Sequence, residues 1–166
     1  MARGAPKNLT DGTIKLQDGS GTPNSVTIAV EEGDLTFSNK QNVDNILDRG
    51  SLSHMREGEE EPVTGSFSVH FIQLIKAGGD SDPELQEIAS FTGAAASWVS
   101  TNDDNGDVKT IDLLFEIVNP DSGLENERIT FTKVRFLSWD LEEGRPNKLS
   151  VEFQAFITRP AIAKYS

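Results

Sequence analysis

The sequence predicts a mainly β protein: an antiparallel β-sandwich or split barrel with one flanking α-helix and a long irregular loop. Three observations carry this. Apolar and polar residues alternate strictly in three separate segments, as in strands that bury one face and expose the other. Clusters of Gly, Pro, Asn and Asp separate short segments at close intervals, as in strands joined by turns. Helical spacing is found once, in a short stretch bounded by capping residues.

In chain order, Thr13 to Leu16 and Ser25 to Val30 alternate on either side of the turn-rich Asp18–Asn24 and predict a hairpin. Gly33-Asp34 marks a turn, and Leu35 to Ser38 alternates again. From Lys40 to Glu61 the periodicity fades, which predicts a long connection without regular structure, a feature that is often functional. After Pro62, residues Val63, Gly65, Phe67, Val69 and Phe71 fall on one strand face, with Thr64, Ser66, Ser68 and His70 on the other. The strand stops at Gly78-Gly79.

Ser81 and Glu84 have capping-box spacing, Pro83 suits a first helical turn, and Gly93 can close the far end. Leu85, Ile88, Ala89 and Phe91 would be the buried stripe. Ala94 to Ser100, with Trp98 and Val99, reads as a short strand or extended segment. Past the Asn102–Asp107 turn, Lys109, Ile111, Leu113, Phe115 and Ile117 share one face, opposite Thr110, Asp112, Leu114 and Glu116. A strand follows from about Glu127 to Trp139. The last has Leu149, Val151, Phe153, Ala155 and Ile157 on one side and Lys148, Ser150, Glu152, Gln154 and Phe156 on the other. Carboxylates at Asp112, Glu116 and Glu152 thus stand on polar faces. There is no internal repeat.

A chain of 166 residues is long enough for one domain with a real core, and the whole of 1–166 is expected to be one, with the extended loop at about 40–61. No apolar run reaches the roughly 18 residues of a membrane-spanning helix, so no membrane partner is expected. Arg3 and Lys7 are not followed by an apolar stretch, so no secretory signal is expected at the start. Cysteine is absent, which excludes disulfides and thiolate metal sites. The formal net charge of −12 runs against tight nucleic-acid binding, which depends on neutralising phosphates.

Catalytic chemistry is poorly supplied. His54 falls in the irregular segment and His70 on a polar strand face, and no Gly-x-Ser-x-Gly elbow accompanies them. No enzyme activity, cofactor or metal is expected. Asp103, Asn105 and Asp107 are spaced like early calcium-loop ligands, but Val108 and Leu114 occupy the positions that need Gly and Glu. A tight Asn-Gly turn accounts for the same residues. Gly78-Gly79 lacks any accompanying phosphate-loop Lys and reads as a strand-to-helix turn.

One stretch is more distinctive. Arg49-Gly50-Ser51-Leu52-Ser53-His54-Met55-Arg56-Glu57-Gly58 passes into Pro62-Val63-Thr64-Gly65-Ser66-Phe67-Ser68. With Asn8-Leu9-Thr10-Asp11-Gly12-Thr13-Ile14-Lys15-Leu16 upstream, the chain resembles, over nearly its whole length, the tail-tube proteins of long-tailed bacteriophages. The resemblance implies a structural virion protein, assembled in the host bacterial cytoplasm, that self-assembles into hexameric rings stacked as a tail tube. The channel would hold the tape-measure protein and then conduct DNA during genome ejection, without binding either tightly. Baseplate and sheath proteins would be further partners. Arg49, Arg56, Glu57, Glu59, Glu60 and Glu61 would form the inter-subunit loop. Asp112, Glu116 and Glu152 would face the channel, where acidic side chains repel phosphates and keep DNA mobile.

The related type VI secretion tube protein and a tail-completion or baseplate-adaptor protein are the alternatives within this architecture. From another class, a carbohydrate-binding β-sandwich fits the strand number. It usually displays aromatics, whereas Trp98 and Trp139 lie in patterned segments where core packing is the expected use.

Overall fold

The computed structural model describes residues 12–29, 35–70, 83–100, 108–118, 125–144 and 148–165. The expected turns at Gly33-Asp34, Gly78-Gly79 and Asn102–Asp107, and the capping residue Ser81, lie outside them. The protein is mainly β. In chain order the strands are β1 (Gly12–Gln17), β2 (Ser25–Ala29), β3 (Thr36–Ser38), β4 (Gln41–Asp48), β5 (Ser51–Glu60) and β6 (Val63–His70). After the helix α1 (Leu85–Ser90) come β7 (Ile111–Ile117), β8 (Asn126–Glu142), β9 (Lys148–Ala155) and β10 (Ala161–Tyr165). An eight-stranded sheet runs β2-β1-β7-β8-β9-β6-β3, with β10 also paired to β8, and every pairing is antiparallel. The sheet curls until β2 touches β6, but no ladder joins them among the described residues, so it stays open and sandwich-like.

The alternating segments became strands with the expected faces. Ile14 and Leu16 of β1, Val63, Phe67 and Val69 of β6, Leu113 and Phe115 of β7, and Leu149, Val151 and Phe153 of β9 are all buried in one core. Phe153 sits at its centre, with ring centroids 5.5 Å from Phe131 and 6.2 Å from Phe67. Gly65 is required there: a Cβ would lie 2.6 Å from the Phe153 ring and 2.6 Å from the Thr36 carbonyl oxygen across the β3–β6 ladder.

β8 is longer than the predicted strand and serves different neighbours along its length. Its first half lies between β7 and β10, and its second half pairs with β9. Lys133, at φ 52, marks the change, and the flanking Phe131 and Val134 both point into the core. This is the geometry of a bulge, where an extra residue bends the strand. The strand β10 has no counterpart in the sequence reading. Its residues are nearly all exposed, so no buried face imposes an alternating pattern.

Two expectations need correction. The helix starts at Leu85, with Glu84 as its N-cap, and the capping box joins Glu84 to Glu87, one box later than Ser81 and Glu84. Phe91, not Gly93, takes the left-handed position that ends it, at φ 53. Burial of its ring under the Arg135 guanidinium, 5.1 Å from the centroid, holds that unfavoured backbone in place. Gly93 instead opens a 3-10 turn, Gly93–Ala95, which takes up the start of the Ala94 to Ser100 segment expected as a short strand or extended stretch.

The larger correction concerns residues 40–61. They do not form an irregular loop. β4 and β5 pair as an antiparallel hairpin, a separate two-stranded sheet. Nearly every residue of both strands is exposed, so burial wrote no period into the sequence. Register shifts between Gln41 and Val43 and between Ile46 and Leu47 scramble what remained. The turn is hidden too, because Arg49 and Gly50 both have positive φ, 49° and 83°, where Asn-Gly is the usual signal.

Candidate functional site

The projecting hairpin is an amphipathic blade. Residues directly opposite across a ladder point to the same side. Leu47 lies opposite Leu52, Asn45 opposite Met55 and Val43 opposite Glu57, and these pairs share one face. Ile46 opposite His54 and Asp44 opposite Arg56 form the other. Leu52 and Met55 are 76% and 75% exposed, with Val43 and Leu47 exposed beside them. An isolated two-stranded hairpin is marginal in water, and an apolar strip on it needs cover.

The predicted loop residues do not form one cluster. Arg49 occupies the tip, Arg56 the middle opposite Asp44, and Glu57, Glu59, Glu60 and Glu61 the root. The root is pinned by Asn42, whose Nδ2 donates to the Glu59 carbonyl (2.9 Å) and to Glu61 Oε1 (2.8 Å). The Lys40 Nζ lies 2.9 Å from the same Glu61 oxygen. These bonds, Asn42 first and Lys40 next, hold the Glu61 carboxyl below its usual range. The remaining root glutamates line a cavity of about 390 Å³ shared with Thr158 and Arg159. The charged residues were legible in the sequence. The apolar strip Val43, Leu47, Leu52 and Met55 was missed, and its signal was an unusual number of large apolar residues in a segment without core periodicity.

Asp112, Glu116 and Glu152 stand on the sheet face away from the core, as expected, but in unequal surroundings. Arg128, directly opposite Glu116, reaches its Oε1 at 2.6 Å and stacks 4.5 Å over the Tyr165 ring of β10. Burial, then the Glu116 charge, push the Tyr165 hydroxyl up. Asp112 accepts the Lys133 backbone N–H at the bulge (3.3 Å). Glu152 is exposed and accepts from Ser138 Oγ at 3.3 Å. Of the three, Glu152 most fully presents a charge to solvent. Trp139, expected in the core, is 46% exposed, whereas Trp98 is buried.

Two outcomes test these contacts. Burial, more than the Ser100 and Lys133 bonds can offset, raises the Asp112 carboxyl above its ordinary 3.8. The folded state therefore holds this proton more tightly, and the resulting stabilisation is full below pH 3.8 and lost as pH rises through the folded value. Asp112→Asn is expected to melt higher than the parent at pH 7, with the difference shrinking towards acid in calorimetry. Arg128→Ala leaves Glu116 without its counter-charge and Tyr165 without its stacked cation. It should cost roughly 1–3 kcal/mol and speed amide exchange in β10, with Glu116→Gln milder, since Arg128 then keeps its aromatic partner.

The described residues hold no helix long and apolar enough to cross a membrane. Among them, no group of His, Asp or Glu side chains is placed to hold a metal. No protein-family model matches the chain, and neither does any curated protein sequence. Solved structures do. The chain is similar to one from the sheath/tube terminator of PVC, an extracellular contractile injection system, in its extended state. The TM-score is 0.58 at 13% identity, over 98% of this chain and 99% of that one. The anti-feeding prophage cap, a tube-terminating cap, matches at a TM-score of 0.55 and 14% identity, over 99% and 95% of the two chains. A chain of the PVC sheath–tube complex matches at 0.54 and 11%, over 97% and 93%.

The chain has a tail-tube fold. The likeness runs essentially from end to end in both partners. The neighbours are structural parts of tubes and their terminators.

Proposed function

We propose that the chain is a structural, non-enzymatic subunit of a phage tail tube, in which copies join into hexameric rings that stack around a channel for DNA. The observation that carries this is the β4–β5 hairpin: an exposed apolar strip on a two-stranded blade is a surface made for a partner. The tail-tube fold supplies the context in which that partner is another copy, with baseplate and sheath proteins at the tube's ends and exterior and the tape-measure protein inside. Heterologous contacts between copies produce closed rings or open stacks, which is what a tube requires. On this reading Arg49, Arg56 and the root glutamates Glu57, Glu59, Glu60 and Glu61 contact neighbouring subunits.

The channel is assigned to the sheet face carrying Asp112, Glu116 and Glu152. Because Glu116 is ion-paired and Asp112 half-buried, Glu152 carries most of the repulsion felt by passing phosphates. Glu152→Gln is expected to leave tubes intact by microscopy and to slow genome ejection in a phage carrying it; unchanged ejection kinetics would remove this face from the channel.

A second reading is favoured by the terminators among the structural neighbours: a tail-completion subunit that forms a ring and stops there. Negative-stain microscopy with sedimentation of the purified protein separates the two. Hollow rings that grow into tubes with concentration support the tube subunit, and rings that never stack support the terminator. A monomer at every concentration, even with preformed tube ends added, would refute both.

A further inference from the structure

The hairpin's apolar strip has a counterpart on the same chain. Where α1 crosses the ends of β8 and β9, Leu85 and Ala89 of the helix face Trp139, Leu141 and Leu149 of the sheet across a groove of about 110 Å³. Trp139 and Leu141 are each nearly half exposed, which is unusual for large apolar residues beside a core. The groove is of the order of one aliphatic side chain in volume.

The two surfaces match in charge as well as polarity. Glu84 lines the groove, and Glu142 and Glu143 stand exposed at the adjoining end of β8, with Lys148 opposite Glu142. The hairpin tip carries Arg49 beside the Leu47–Leu52 pair. Arg49 holds a left-handed backbone that Gly or Asn would adopt at lower cost, and this strain at the tip points to a use for its side chain.

Placement sets how the surfaces can meet. The hairpin joins the main sheet at Val63, opposite Ala155, while the groove lies by Leu149, opposite Val69. The two are at opposite ends of the β6–β9 ladder, and both stay uncovered within one copy. A contact between them can therefore run head-to-tail, the heterologous kind that propagates from copy to copy and that a tube requires.

We infer that the groove between α1 and the ends of β8 and β9 receives the hairpin tip of a neighbouring copy, with Leu52 seated against Trp139 and Leu141, Leu47 at the rim and Arg49 beside Glu84. The inference rests on the tube reading for its partner and adds the acceptor surface that reading lacks.

The absence of cysteine allows a clean test. Leu52→Cys and Leu141→Cys proteins, each checked for native circular dichroism, are mixed, assembled and mildly oxidised. The mixed disulfide should form about tenfold or more above that of Leu52→Cys with Leu137→Cys, an exposed leucine of the same strand, because docking raises the effective concentration. Trp139 emission should also shift to the blue on assembly, a shift lost in Trp139→Phe, which retains the buried Trp98. Rings or tubes by microscopy with no excess of the Leu52–Leu141 adduct would overturn the groove assignment and leave the tube reading standing. Neither assembly nor adduct would overturn both.

Discussion

Replacing Leu52 and Met55 together with serine is expected to weaken assembly about 100-fold while leaving the melting of the monomer nearly unchanged. Both side chains are about three-quarters exposed in the single chain, so the folded monomer gains little from them. Surface changes of this kind usually move stability by no more than about 0.5 kcal/mol. Covered by a neighbour, each would contribute about 1.5 kcal/mol or more, so losing both raises the concentration needed for assembly about 100-fold. Sedimentation velocity across a concentration series, with thermal melts of the same samples, reads both quantities. Equal loss of melting temperature and assembly would show that the hairpin belongs to the monomer's own stability and not to a contact between copies.

Phe153→Ala should give the opposite result, a large loss of monomer stability. The ring is fully buried among Phe67, Phe131 and Gly65, and removing it costs about 3–5 kcal/mol through lost burial and the cavity left behind. Gly65→Ala attacks the same spot from the other side and should cost roughly 1–3 kcal/mol by overpacking. Combining the two tests the geometry. Truncating Phe153 makes room on one side of the new methyl, but the Thr36 carbonyl oxygen still crowds the other. Rescue should therefore be partial. The residual strain falls on the β3–β6 pairing that carries the hairpin's first strand. Urea midpoints of the single and double variants measure the coupling directly.

The legible part of the fold is the part where burial acts on one side of a strand. Val63 to Val69, Ile111 to Ile117 and Leu149 to Ala155 each face one core, and the core imposes period two on the sequence. The hairpin has no core face, so Val43, Leu47, Leu52 and Met55 follow the needs of an external contact and look unpatterned. β10 was invisible for the same reason. The site residues show a different limit. Glu116 on a polar face could be read, but its partner Arg128 depends on the β7–β8 register, which local alternation on either strand does not encode. The carboxylates could be placed on a face; how much charge each still shows could not.

The strand order also bears on when the chain becomes able to polymerise. β7, β8 and β9 pair with their neighbours in sequence, so their meander closes only short loops. β6 must instead find β9, and β1 must find β7, across long stretches of chain, which is slower because closure entropy has to be met before contacts reward it. The hairpin hangs between β3 and β6, both of which enter the sheet through that late pairing. The acceptor groove needs α1 as well as β8 and β9, so it too is complete only when the helix has packed onto the sheet. A partly folded chain would thus present neither an oriented blade nor a finished groove. If copies join through these two surfaces as proposed, polymerisation would wait for the completion of the sheet, and nascent chains would have little means of linking up prematurely.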